Sequence, residues 1–202
     1  MYTPPADKAE EPEHIAQYLA GPVAATWRAL DRGRGAADEF FAEERREFDP
    51  HMWAHIVRYE ARLSLAKETG PRDWDLRLFH HSGIRLLKDP FEVHVCKAAN
   101  DAPQNPGRNP ARQRFFQQLG LTLFYGEVGA NLILYWLVRK GALELGLCRP
   151  HGLWDFKGTP KLEWRTTIKL DPLAGLTFAA AEEDDIDVPL RLEEPDLGED
   201  EG

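Results

Sequence analysis

The hydrophobic pattern of this chain changes period at Pro71, and that change limits the fold more than any other feature. Before Pro71 apolar residues recur three and four apart, which places them on one side of a helix. After it they recur at every second position, which places them on one face of a strand. Helices first and strands second predict an α+β fold. N-terminal helices would pack on a mainly antiparallel sheet of five to six strands, with one inserted helix and the helices on one face.

In the helical half, "HIAQYLAG" predicts a short helix that stops at Gly21. "PVAATWRALDRGRGAADEFFAEERREF" predicts a second, with Pro22 in its first turn and a break or kink at Gly33 and Gly35, because glycine costs about 1 kcal/mol against alanine inside a helix. The third helix has the clearest ends. Asp49 suits the N-cap and Pro50 the first helical position, and Gly70-Pro71 supply the stop. Met52, Ile56, Tyr59, Leu63 and Ala66 stand at 4-3-4-3 spacing and are expected to form the buried stripe, widened by Trp53 and Val57.

In the strand half, "WDLRLF", "GIRLLK" and "FEVHVCK" read as strands, with turn chemistry at Ser82-Gly83 and Asp89-Pro90. "ANLILYWLVR" is apolar at successive positions, as a strand buried on both faces would be. Lys140-Gly141 makes a turn into "ALELGLCR", with Gly141 able to take positive φ. Pro150, Gly152, Gly158 and Pro160 mark a loop. "KLEWRTTIKL" alternates cleanly, with Leu162, Trp164, Thr166, Ile168 and Leu170 on the buried side.

Between strands lies "APQNPGRNPARQRFFQQ", residues 102 to 118. Asn109-Pro110 repeats the cap logic of Asp49-Pro50, so a helix is expected from Pro110 to Leu119, with Phe115 and Phe116 turned inward. Arg112 and Arg114, two apart, diverge on such a helix. Arg108 would stand just before its N-terminus, where exposed N–H groups favour anions. Arg108, Arg112 and Arg114 with Arg85, Lys88 and Lys97 of the preceding hairpin make a modest basic cluster, a candidate anion- or partner-binding site. Asp89, Glu92 and Asp101 dilute it below the density usual in nucleic-acid binders. The plainer reading is a surface connector with solvated arginines.

Other chemistry is thinner. His51 and His55 lie one turn apart and are weak candidates for a shared metal, but "HMWAH" lacks the glutamate of a metalloprotease helix, and arginines continue the same face. His80, His81 and His94 are not brought into line with them by any spacing. His81-Ser82 is adjacent only in sequence, and no G-x-S-x-G elbow is present. Cys96 and Cys148 lack redox spacing and read as buried thiols. Neither phosphate-loop pattern occurs, and no cofactor is expected.

Charge is uneven. The chain carries a formal −9, but residues 182 to 202 hold eleven acids and one arginine. Residues 1 to 15 are also acidic, so the part between is mildly basic. The expected organisation is a disordered acidic segment over 1–12, one domain over 13–172, and an acidic tail over 173–202. Within that tail Ile186, Val188, Leu190 and Leu192 alternate, as an edge strand around 186–192 would. No apolar run is long enough to cross a bilayer and no secretory leader is recognisable, so a cytoplasmic protein is expected.

The succession "GIRLLK", "PGRNPARQRFFQQ", "NLILYWLV" and "LELGLCRP" resembles a set of uncharacterised proteins of high-GC actinobacteria. The resemblance covers about a third of the chain. It implies that strand, loop and strand form one unit, and it supplies no catalytic residues. The reading that follows is a non-catalytic protein-interaction or regulatory protein, its partner a protein, basic if the tail is the contact. The alternatives are a nucleic-acid-binding regulator using the 85–114 cluster and a metal-dependent enzyme around His51 and His55.

Overall fold

The computed structural model describes residues 2–43, 47–68, 72–79, 83–99, 101–118, 129–152, 161–171 and 175–180. Four helices are α1 (Glu11–Tyr18), α2 (Ala20–Glu43), α3 (Pro50–Lys67) and α4 (Pro110–Phe116). Eight strands are β1 (Asp75–Phe79), β2 (Gly83–Lys88), β3 (Phe91–Ala99), β4 (Ala102–Pro103), β5 (Ala130–Arg139), β6 (Ala142–Pro150), β7 (Leu162–Asp171) and β8 (Gly175–Ala180).

The α+β class holds, and its finer description changes in three ways. The sheet runs β1-β2-β3-β5-β6-β7-β8, with β4 added to β3, so it is larger than five or six strands. It is mixed, because β3 and β5 pair in parallel while the other pairs are antiparallel. Parallel neighbours need a crossover connection, and the stretch through β4 and α4 is that connection. The helices also do not share one face. Side chains of α1, α2 and α3 pack with Ile84, Leu86, Val93, Leu132, Leu134, Trp136 and Leu147 on one face. Phe115 and Phe116 of α4 pack with Cys96, Ile133, Tyr135 and Cys148 on the other, hereafter the second face.

Local end signals are realised where they are described. Asp49 Oδ1 accepts from the His51 and Met52 N–H groups at 2.7 and 3.3 Å. Asn109 Oδ1 does the same for Ala111 and Arg112 at 2.9 and 3.2 Å. Lys140 and Gly141 both take positive φ, 50° and 79°, as a tight two-residue hairpin turn requires. The Gly70-Pro71 stop, the Ser82 turn, the Gly158 and Pro160 loop positions, Leu119 and the 186–192 segment lie outside the described residues.

α2 passes through Gly33 and Gly35 without a break, and α1 ends at Tyr18, with Leu19 as its C-cap, rather than at Gly21. Gly33 is there for contact: a Cβ on it would stand 2.4 Å from the Val57 carbonyl oxygen of α3. That close approach turns α3. Its buried residues are Trp53, Ala54, Val57, Ala61 and Leu65, while Met52 and Tyr59 of the expected stripe are 44% and 51% exposed. Small alanines against a glycine let two backbones meet, and Met52 and Tyr59 are rotated outward. Trp53 then reaches across, donating Nε1–H to Asp38 at 2.7 Å and packing its ring 6.1 Å from Trp136 of β5.

Residues 2–12, expected to be disordered, lead into a short 3-10 turn over Lys8–Glu10 and into α1. Tyr2 is buried edge-on against Phe91 and Tyr18, which ties this segment to the sheet. β8 lies beyond residue 172, the expected domain end, and continues the sheet to Ala180.

Candidate functional site

Side chains alternate along a strand, so register decides which residues from distant parts of the chain share a face. On the second face the register sets Arg77, Arg85, His94, Ile133, Cys148 and Arg165 directly opposite one another, in one row across six strands. The next row holds Cys96, Tyr135, Gly146 and Thr167. Tyr135 lies across Gly146, where an added Cβ would meet its ring at 2.2 Å. Like charges directly opposite are destabilising, so the Arg77–Arg85 pair works against the sheet that carries it. Glu92 offsets part of this by pairing with Arg85.

The centre of the row is roofed by α4. Phe115 meets the His94 ring edge-on at 5.7 Å. The Arg85 guanidinium lies over two rings, 4.5 Å from the centre of Phe79 and 5.4 Å from that of Phe115. Arg112 precedes Phe115 by three residues and so shares its side of the helix. Its Nε is buried and has no hydrogen-bond partner among the described residues. Burial pushes the His94 imidazole down to about 3, and the Arg112 and Arg85 guanidiniums push the same way. It is neutral at ordinary pH.

Burial raises the pKa of the two thiols and the phenol of this face. Burial pushes the Cys96 thiol up to about 11, raises Cys148 well above its ordinary range, and pushes Tyr135 up to about 12. Both cysteines are free and buried. A protonated thiol is a poor nucleophile.

The six cations expected to cluster are divided by the sheet. Arg85 and Arg112 meet on the second face. Lys88 is buried on the opposite face, its Nζ 2.8 Å from Asp73 and 4.5 Å from the centre of the Tyr18 ring. Lys97 faces α3, 5.8 Å from the Trp53 ring centre, and burial followed by the charge of Arg58 lowers its pKa. Arg108 and Arg114 are exposed. At the N-terminus of α4 the Ala111 and Arg112 N–H groups are taken by Asn109 Oδ1, and Arg108 stands just before it. Arg77 and Arg165 belong to the row and were not singled out from sequence, and His94 was weighed only beside the metal reading of His51 and His55. Their shared side was legible in the alternation of "DLRLF", "FEVHVCK" and "KLEWRTTIKL", but their alignment needed the strand order.

His51 and His55 are exposed on α3. Among the described residues no group of three or more His, Cys, Asp or Glu side chains is placed to hold a metal ion. An open cleft of about 760 Å³ lies at the β5–β6 turn, where Asp31, Arg34, Asp101, Arg139 and Glu144 line it. Its charges pair with each other: Arg34 with Asp31 at 3.0 Å, and Arg139 with Asp101 at 2.9 Å. No helix among the described residues is long and apolar enough to cross a membrane.

No protein-family model matches the chain, and neither the curated proteins nor the solved structures contain a match to it.

Proposed function

We propose that this chain is a non-catalytic, cytoplasmic protein-interaction or regulatory protein that binds an acidic partner segment through its second face. The observation that carries the reading is the row Arg77–Arg85–His94 with Arg165 at its far end. Repelling arginines aligned across a sheet cost stability and make sense as a surface built for an anionic partner. The aromatic content of the same surface favours a protein over a nucleic acid. Arg85 lies on Phe79, itself 42% exposed, and on Phe115, and arginine with aromatic neighbours is the usual make-up of protein interfaces. Free, buried thiols fit a reducing compartment, and the protonated state of Cys96, Cys148 and Tyr135 fits a binding role.

The test is anisotropy of a labelled poly-glutamate peptide and of a DNA duplex, each over a salt series. The full chain is compared with one lacking residues 182–202, whose acids would compete for the same face. Peptide binding is expected, strengthened by the truncation and weakened about tenfold by Arg77→Gln with Arg165→Gln. Tighter binding of the duplex, with affinity falling steeply in salt, would move the assignment to nucleic acid. Binding of neither probe would remove the proposal.

A further inference from the structure

We propose that Arg112, Arg85 and His94 form a binding site for a phosphoryl group, with Phe115 as its wall. This rests on the second face being the binding face and names what its centre holds. Three observations converge. The Nε of Arg112 is buried without a partner, which is rare for a native buried donor. Phe115 touches both His94 and Arg85, and Arg112, one turn before Phe115 on the same helix, lies close enough to His94 for its charge to act on the imidazole. The acid of the cluster, Glu92, is spent on Nη1 of Arg85, where it holds the guanidinium in place and leaves its other donors.

The geometry selects the class of ligand. Arg85 and His94 rise from adjacent strands, while Arg112 descends from the helix that covers them. A planar carboxylate takes its hydrogen bonds within one plane. A tetrahedral phosphoryl group presents oxygens in several directions and suits donors arriving from above and below. The neutral imidazole of His94 adds one N–H donor. Two sources share this chemistry, a free phosphate and a phosphorylated side chain on a partner.

The experiment titrates inorganic phosphate into the full chain at constant ionic strength while the His94 imidazole resonances are followed by NMR. A saturable shift is expected, weakened about tenfold or more in Arg112→Gln, partly retained in Arg112→Lys, and unchanged in Arg108→Gln. Far-UV circular dichroism confirms that each variant is folded. A phosphoserine peptide and its unphosphorylated twin form the second arm: tighter binding of the former than of inorganic phosphate makes a partner protein the source, and equal binding makes it free phosphate. Absence of a saturable His94 shift, or a shift undiminished in folded Arg112→Gln, overturns the site. If poly-glutamate still binds through Arg77 and Arg165 in that case, the interaction reading stands without it; if that binding is absent too, the interaction reading also falls.

Discussion

The side chain of Gln118 completes the backbone of Asn131. Its Oε1 accepts the Asn131 N–H at 2.7 Å, and its Nε2 donates to the Asn131 carbonyl at 2.9 Å and the Pro150 carbonyl at 2.8 Å. One amide thus bridges the start of β5 and the end of β6 just beyond their Ile133–Cys148 pair. Asn131 returns the link by donating Nδ2–H to the Phe115 carbonyl at 2.9 Å. Together they fasten the end of α4 to the sheet and set Phe115 over His94. Gln118 takes φ of 58° to do this. Gln118→Ala strands one N–H and two carbonyls and is expected to cost about 2–3 kcal/mol. Urea denaturation checks it: the midpoint falls while the slope is kept.

What the sequence disclosed follows how local each cause is. Asp49, Asn109 and Gly141 act on neighbours two or three residues away, so their roles were readable from composition and spacing. The burial of "ANLILYWLVR" on both faces was also readable, because a central strand leaves no polar side. The parallel pairing of β3 with β5 was not, since it depends on how a distant crossover packs. The buried face of α3 was misplaced for a related reason: alanine and glycine weigh little in a hydrophobic pattern yet decide how closely helices approach. A register shift beyond Arg149 likewise sends Leu162 to the α4 side while Trp164 and Ile168 stay on the other. The alignment of the arginine row could not be read before the strand order was known.

His94 is expected to make the fold sensitive to acid. Its folded pKa is depressed to about 3, against an ordinary histidine value near 6.5. Below about pH 6.5 the unfolded chain takes up a proton that the folded chain refuses, so the stabilisation present above that pH is lost as pH falls toward 3. The slope from this residue approaches about 1.4 kcal/mol per pH unit. In His94→Phe that slope is removed. Denaturation midpoints of wild type and variant measured from pH 4 to 7 are expected to converge or cross toward the acid end; parallel curves would show that His94 does not carry the effect.

Cys96 and Cys148 are expected to resist alkylation while the protein is folded. Both are buried, and burial holds both thiols well above neutral pH in titration. The thiolate is the reactive form, and access is needed as well. Ellman's reagent at pH 7.5 should therefore find neither thiol in the native chain and both in denaturant. A fast-reacting thiol in the native state would place Cys96 or Cys148 at the surface and contradict the packing of α4 on the second face.

Gly33 and Gly35 stand two residues apart in one helix and should respond to the same substitution in opposite directions. A Cβ at Gly33 meets the Val57 carbonyl oxygen at 2.4 Å, and that atom belongs to the backbone of α3, so the helices must separate. Gly33→Ala is expected to cost about 1–3 kcal/mol, the range for overpacking. Nothing lies within 4 Å of a Cβ at Gly35, and its backbone is helical. Gly35→Ala is then expected to stabilise by about 0.5–1 kcal/mol, through the lower entropy of the unfolded chain and the better helix propensity of alanine. Thermal or urea unfolding of the two variants side by side makes the comparison. Equal effects would mean that α2 and α3 do not meet at Gly33, and the rotation that turns Met52 and Tyr59 outward would lose its cause.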